Sequence, residues 1–299
     1  MFAITGATGN TGGVVAEKLL ASGEKVRVIG RDTGRLARFV QKGADAFAAD
    51  ITDSAALARA FEGATAVYAL IPPNISSNDV RGYQERVGDA LASALRQASV
   101  QRAVTLSSVG ADKSEKVGPV VGLHNLEQKL NAIAGLNVIH LRAGYFMENV
   151  LPQVDVIRNF GILGGPVRAD LLLPMIATRD IGTVAAELLK SGFTGKQSRE
   201  VLGQRDVSYK EMASIIGRAI GKPELGYVQL PAQQLKPALT QMGMSSNMAD
   251  LLLEMAEALN SGYMKALEPR SAENSTSTSI EVFVNEDFAP RFRAKAAMA

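Results

Sequence analysis

Thr5-Gly6-Ala7-Thr8-Gly9-Asn10-Thr11-Gly12-Gly13 is the stretch that decides how this chain is read. A short apolar run, Phe2 to Ile4, reads as a strand before it, and Val14, Val15, Leu19 and Leu20 recur at helical spacing after it, up to Gly23. A glycine-rich turn from a strand end into a helix start gathers unpaired N–H groups and the positive helix end at one point, which suits a pyrophosphate. Gly6 can take a tight turn of positive φ, Gly9 leaves space where a Cβ would block a phosphate, and Gly12 lets helix and strand pack closely. A plain turn with spare glycines is the alternative. Placement between a strand and a helix at the very start of the chain favours the nucleotide reading, with Thr8, Asn10 and Thr11 in the same loop.

The next segments extend that reading. Lys25 to Gly30 alternates as a second strand and is followed by Arg31-Asp32-Thr33-Gly34-Arg35. At this place an acidic side chain bonds the ribose hydroxyl of NAD, whereas arginine accommodates the extra phosphate of NADP. Arg31, with Arg35 as a second cation, points to NADP(H) through paired hydrogen bonds to phosphate. Asp32 could instead address the ribose, and the two arginines could be solvated charges. Leu36 to Lys42 reads as a helix, and Ala44 to Ala49 as a short buried strand ending in Asp50-Ile51. Asp50 could bond the adenine amino group while Ile51 packs on the ring, or Asp50 could serve a turn. Asp53 and Ser54 read as the cap of a helix over Ala56 to Phe61.

Thr65 to Leu70 reads as a fourth strand running into Ile71-Pro72-Pro73-Asn74. Proline ends the strand, and Leu70, Ile71 and Pro72 fall at the carboxyl edge of the sheet, beside a bound dinucleotide. A helix from Val80 to Ala98, a strand from Val100 to Leu106, a helix from Leu123 to Ala134 and a strand from Asn137 to Leu141 continue the rhythm. Ser107 and Ser108 could face a nicotinamide or cap a turn. Repeated strand–helix–strand units imply an α/β fold, a Rossmann-type doubly wound parallel sheet with right-handed crossovers.

Beyond Asn149 the pattern changes, so residues 1–150 read as the nucleotide-binding domain and 151–299 as a smaller, mainly helical C-terminal lobe on the substrate side. A helix over Leu151 to Asn159, a strand over Leu171 to Ile176, and Thr178-Arg-Asp180 capping Ile181 to Lys190 read as elements around 171–202 that return to the sheet. Helices are expected over Tyr209 to Ile220, Ala232 to Met242 and Ser246 to Leu259. Met242, Met244, Met248, Met255 and Met264 fall in this region, either as core filler or as a plastic wall to a cleft. Ser271 to Ser279 reads as a surface loop and Arg291 to Ala299 as a loose tail.

Composition removes several function classes. The 299 residues carry a formal net charge of +2 with both signs interspersed, which gives no broad field for nucleic acid or an anionic membrane. No cysteine is present, so thiolate metal sites, disulfides and a cysteine nucleophile are excluded; with only two histidines, His124 and His140, no metal centre is expected. No apolar run approaches the ~18 residues of a membrane span, and a cytoplasmic protein is expected.

Thr5-Gly-Ala-Thr-Gly-Asn-Thr-Gly12, Arg31, Asp50, Ser107-Ser-Val-Gly110, Leu141-Arg-Ala-Gly-Tyr-Phe-Met-Glu-Asn149 and Ala177-Thr-Arg-Asp-Ile-Gly182 together resemble the NmrA-like group of atypical short-chain dehydrogenase/reductase proteins. The resemblance runs over nearly the whole chain. The pattern near His124 and Gln241-Met-Gly-Met-Ser245 is most similar to bacterial NADPH:quinone oxidoreductases. It implies NADP(H) across the sheet edge, with Gly144, Tyr145 and Phe146 beside it, and a quinone or similar small molecule in the cleft.

One departure bears on chemistry. Ordinary members of that superfamily use Tyr-x-x-x-Lys, in which lysine lowers the tyrosine pKa for proton transfer. None of the six tyrosines has lysine four residues on. The place of the pair holds His124, Asn125 and Lys129. His124 is a candidate general acid or nicotinamide-ribose ligand, with capping of the helix start at Gly122-Leu123 as the alternative. Lys129 reads as a solvated helix lysine, and His140, inside a strand, as structural. Tyr145 is a second catalytic candidate, and Tyr145 and Phe146 line an expected substrate pocket with Asn149 as a polar contact; ordinary packing is the alternative for the aromatics. The leading expectation is hydride transfer from NADPH to a quinone-like or other conjugated small molecule. The alternative is a non-catalytic NADP(H)-sensing regulator acting on a protein partner. A nucleotide-sugar epimerase is less favoured without the tyrosine base. A homodimer is compatible with either.

Overall fold

The computed structural model describes residues 1–296. Its first half alternates strands and helices: β1 (Phe2–Thr5), α1 (Asn10–Ala21), β2 (Val26–Gly30), α2 (Ala37–Val40), β3 (Asp45–Ala48), α3 (Ser54–Phe61), β4 (Ala66–Ala69), α4 (Val80–Gln97), β5 (Arg102–Ser108), α5 (Val120–Asn131) and β6 (Asn137–Ala143). Then come β7 (Tyr145–Phe146), α6 (Gln153–Phe160), β8 (Leu163–Gly165), β9 (Leu173–Ile176), α7 (Thr178–Ser191), β10 (Lys196–Val201) and β11 (Asp206–Val207). The chain ends with α8 (Tyr209–Ile220), β12 (Tyr227–Gln229), α9 (Ala232–Gln241), α10 (Ser246–Asn260), α11 (Ile280–Phe283) and α12 (Ala289–Ala296).

Seven strands form one parallel sheet in the order β10-β6-β5-β4-β1-β2-β3. The order reverses direction at β1, between β2 and β4, and such a switch point opens a crevice at the carboxyl ends of the strands. α1 and α7 cover one face, where Ile4, Val15, Leu19, Val28, Ile181 and Leu189 are buried together. α3, α4 and α5 cover the other through Leu57, Phe61, Leu91, Leu95 and Leu126. A second core fills the C-terminal part, joining Met147, Val154, Ile157, Met175, Met212, Ile216, Phe283 and Phe288. A smaller mainly helical region thus stands beside a Rossmann-type sheet.

Several local expectations are corrected. β3 is not buried: as the last strand of the sheet it leaves Asp45 and Ala48 exposed and Ala46 and Phe47 half-buried. The helix expected over Leu36 to Lys42 is a 3-10 turn at Gly34–Leu36 and the single turn of α2. β9 stays out of the main sheet and pairs with β7 and β11; it is β10, a polar strand, that joins β6. The methionines serve mostly as core filler, in two places: Met244 and Met248 pack with Val80 and Leu251, Met255 and Met264 with the second core, while Met242 is exposed. Arg291 to Ala296 belongs to α12 rather than a loose tail, and it is held by Arg158, which donates to the Arg291 and Phe292 carbonyls. The remainder of that expected tail, 297–299, lies outside the described residues.

His140 in β6 is structural, as its sequence context implies. It is fully buried, its Nδ1 accepts from the Thr105 hydroxyl at 2.7 Å, and its Nε2 donates to Asn131 Oδ1 at 3.2 Å. Burial pushes its pKa down from 6.5 to about 4. The unfolded chain therefore takes up this proton first as the medium is acidified. The stability contributed by neutral His140 is complete above pH 6.5 and is lost as pH falls towards 4, about 3 kcal/mol in all. Urea denaturation across that window should show this slope, and His140→Gln should flatten it; an equal slope in both proteins assigns the loss to other groups.

Candidate functional site

The opening loop has the geometry its sequence requires. Gly6 adopts φ +64°, and a Cβ there would stand 3.0 Å from Leu70 Cδ2, so Leu70 is packed directly on the turn. Gly9 donates its N–H to the Gly6 carbonyl at 2.9 Å and is the N-cap of α1. No side chain caps this helix, and its first turn holds no acidic residue. Its leading N–H groups are thus available to an anion, while Thr8, Gly9 and Asn10 are exposed. Thr11 and Gly12 are buried beneath. Tyr68 of β4, on which the sequence reading places no role, braces the loop: its buried hydroxyl donates to Thr11 Oγ1 at 3.0 Å, and Thr5 Oγ1 donates to the Tyr68 carbonyl at 3.2 Å. Behind α1, a Cβ on Gly182 would lie 2.7 Å from Val14 Cβ and 2.8 Å from the Thr11 carbonyl, so α7 seats directly on the nucleotide-loop helix.

At the ends of β2 and β3, Arg31 and Arg35 are exposed. Asp32 is turned to its own loop, accepting the Gly34 N–H at 2.8 Å. Asp50 Oδ1 accepts both the N–H and the hydroxyl of Thr52, at 2.9 and 2.6 Å. These bonds, aided by the Arg31 charge, hold its carboxyl below the usual range. Arg31 and Asp50 also act on Tyr83 of α4, whose phenol is pushed up mainly by burial. Tyr83, which the sequence reading did not select, therefore belongs to the same corner. Ile51 and Ile71 pack into the α3–α4 side of the core, and Pro72 is half-buried beside them.

The ends of β5 and β6 carry a network that local sequence does not announce. Ser107 donates to Glu127 Oε1 at 2.6 Å, and Arg142 grips the same carboxylate through Nε at 3.0 Å and Nη2 at 2.6 Å. Ser107 and Arg142 are register partners across the two strands, and Glu127 rises from α5. Ser107 thus turns inward, while half-buried Ser108 donates to the Val109 carbonyl at 2.8 Å. Each serine oxygen has committed its proton within the protein, so towards a ligand it can only accept.

His124 is not a helix cap, because α5 starts at Val120 behind Pro119. Its Nδ1 meets the Ala111 carbonyl at 2.8 Å, which fixes the proton on Nδ1 and leaves Nε2 as a lone pair in the neutral ring. Lys129 is tied to Glu85 and Asp89 of α4 at 2.6 and 2.5 Å, which raises its pKa and gives it a structural task. After β6, Gly144 is obligatory for another reason: a Cβ would lie 2.4 Å from the Pro174 carbonyl. The two residues of β7 then point to opposite faces. Phe146 packs on the sheet side and Tyr145 on the C-terminal core, so they do not line one wall together. Tyr145 accepts a hydrogen bond from the hydroxyl of Tyr209 at 3.0 Å, and Asn149 also acts to lower its pKa.

The start of α7 also differs from expectation. Thr178 and Asp180 do not cap it; the Glu148 carboxylate does, accepting the Thr178 N–H and hydroxyl at 2.9 and 2.6 Å. Asp180 instead receives the Thr278 N–H and hydroxyl, at 3.1 and 2.7 Å, and so secures the segment before α11. Among the described residues no helix is long and apolar enough to cross a membrane, and no group of three or more metal-ligating side chains converges.

A dinucleotide-type sheet edge, a glycine turn on an uncapped helix and a cationic corner define a Rossmann-type nucleotide-binding protein. The model of the NmrA-like family matches residues 1–283, and the chain belongs to that family. It is similar to an NAD(P)H azoreductase of Xenophilus azovorans, with 27% identity over 257 residues, 85% of this chain and 86% of the relative. Quinone oxidoreductase 2 of Escherichia coli (strain K12) is 27% identical over 262 residues, 85% of this chain and 86% of the relative. The crystal structure of an NADPH-dependent quinone oxidoreductase from Escherichia coli complexed with NADPH superposes with a TM-score of 0.81 at 23% identity, covering 95% of this chain and 98% of that one.

Proposed function

We propose that this protein is an NADPH-dependent oxidoreductase delivering hydride to a quinone-like or other small conjugated acceptor. The observation that carries this reading is the uncapped N-terminus of α1 behind a turn in which Gly12 leaves no room for a side chain. The fit to a dinucleotide extends outward from there. The exposed Thr8-Gly9-Asn10 backbone, half-buried Gly6 and the buried Thr11 and Gly12 would receive the diphosphate, and Arg31, with Arg35, the ribose phosphate. The second carboxylate oxygen of Asp50 is left for the adenine amino group, with Ile51 beside the ring. Leu70, Ile71, Pro72, Ser107, Ser108, His124, Gly144, Tyr145 and Phe146 continue the edge towards the nicotinamide end.

The bound cofactor supplies a hydride; the chain's part is to hold it against the acceptor, exclude water and provide a proton. Tyr145, with Asn149, is the proposed proton donor on the C-terminal side, and His124 Nε2 the proposed ligand of the nicotinamide ribose. That relatives are named for azo and quinone acceptors supports an electrophilic conjugated substrate, which needs no Tyr-x-x-x-Lys pair. Residues 1–150 would form the cofactor side and 151–299 the substrate side, with β10 and α7 lent to the sheet.

Purified protein should oxidise NADPH with at least one member of a panel of quinones and azo dyes. Tight NADPH binding without turnover on any acceptor would replace this reading with a cofactor-sensing one. Arg31→Ala should raise the Kd for NADPH about 10- to 100-fold, the worth of about 1.5–3 kcal/mol of charged hydrogen bonding, and leave NADH unchanged. Equal affinity of the wild type for the two cofactors, by calorimetry, would refute the role given to Arg31.

A further inference from the structure

The Tyr145 phenol accepts a hydrogen bond from a distant part of the chain. Tyr209, the first residue of α8, directs its hydroxyl at the Tyr145 oxygen at 3.0 Å, and the Asn149 side chain also favours the ionised form of that phenol. A phenol oxygen accepts at two positions and donates once. With the Tyr209 proton directed at the Tyr145 oxygen, the proton of Tyr145 points elsewhere. We propose that Tyr209 is a positioning residue for Tyr145: with Asn149 it takes over the stabilisation that lysine gives the tyrosine of Tyr-x-x-x-Lys pairs, and so makes Tyr145 the proton donor, a role that rests on the reductase reading above.

Tyr209 is built to stay in place. Its ring stacks on Tyr227 with centroids 4.8 Å apart and planes 23° apart, and meets Tyr145 edge-on at 6.2 Å and 77°. Tyr227 is itself fixed, its hydroxyl donating to the Val167 carbonyl at 2.7 Å. Tyr145 is fixed by strand pairing with Met175. Burial pushes both phenols up, but the donated hydrogen bonds pull Tyr145 back while the same contact drives Tyr209 further up, so Tyr145 is the stronger acid of the two. The step balances simply. An acceptor oxygen that has gained two electrons by hydride addition to its conjugated system takes the Tyr145 proton. The Tyr145 O–H bond breaks, a phenolate held by Tyr209 and Asn149 remains, and water returns the proton.

The test places a difluorotyrosine at position 145, whose phenol titrates near neutrality, and follows it by fluorine NMR in the full chain with and without saturating NADP+. Tyr209→Phe, which keeps the ring stack, and Asn149→Ala should each raise its titration midpoint, Tyr209→Phe by about one pH unit. With native Tyr145, Tyr209→Phe should lower kcat for quinone reduction about tenfold without changing the KM for NADPH, and adding it to Tyr145→Phe should cost nothing more. Midpoints unmoved in both variants overturn the proposal, as does a raised midpoint with unaltered kcat. A wild-type chain inert towards every acceptor refutes the reductase reading, whereas the raised midpoint would still establish the donor pair on Tyr145.

Discussion

Gly12→Ala should abolish dinucleotide binding and lower the melting temperature together. The added methyl would stand 2.5 Å from the Gly6 carbonyl oxygen, 2.7 Å from its carbon and 2.8 Å from the Thr5 carbonyl oxygen. All three are backbone atoms, so no side-chain rotation relieves the clash and α1 must back away from β1. Overpacking of this kind costs about 1–3 kcal/mol, and the leading N–H groups of α1 lose their aim at the same time. We expect NADPH affinity to fall by at least ~100-fold in calorimetry, about 2.7 kcal/mol. Gly9→Ala separates the two consequences. Its methyl would meet only the Gly6 carbonyl, at 3.3 Å, on the exposed side of the turn. It should melt near wild type yet bind weakly. Wild-type affinity in Gly9→Ala would show that no phosphate approaches this loop.

Glu127→Ala should destabilise the fold by about 3–5 kcal/mol in urea denaturation. Its carboxylate is 2% exposed and takes two bonds from Arg142, itself 14% exposed, and a third from Ser107. Truncation strands a guanidinium inside the protein, which costs more than the lost pair contributes. The double change Glu127→Ala with Arg142→Met should therefore be more stable than Glu127→Ala alone. A double variant at the sum of the two single losses would mean that packing, not the stranded charge, sets the cost.

The sheet was legible because each unit from β1 to β6 announces itself locally. A glycine turn, an apolar run and a capped helix such as α3, where Asp53 accepts the Ala55 and Ala56 N–H groups, are short-range signals. β10 gives no such signal: Lys196-Gln-Ser-Arg-Glu-Val201 is polar because it lies at the margin of the sheet, with its first four residues exposed. The helical run from α11 to α12 does carry a local signal, since Ile280, Phe283, Val284 and Phe288 form a buried stripe at helical spacing. The site divides in the same way. Gly6, Gly9, Gly12, Arg31 and Asp50 sit on one edge because consecutive βα turns of a parallel sheet emerge there. Glu127 with Arg142, Tyr209 with Tyr145, and Glu148 with Thr178 are meetings of residues 15, 64 and 30 positions apart. Only the tertiary fold brings these together, so no local pattern could indicate them.

The late origin of β10 has a consequence for biosynthesis. Residues 1–143 complete six strands, but the partner of β6 arrives only with residues 196–201, about sixty residues on, several seconds at ribosomal rates of roughly 5–20 residues per second. During that interval the nascent chain displays a bare β6 margin able to recruit foreign strands, and α1 lacks the brace that α7 will give it. Competence to capture a nucleotide should therefore mature only once α7 has emerged to seat on α1, and a polypeptide stopped at residue 150 should need chaperone protection instead of folding as an autonomous half.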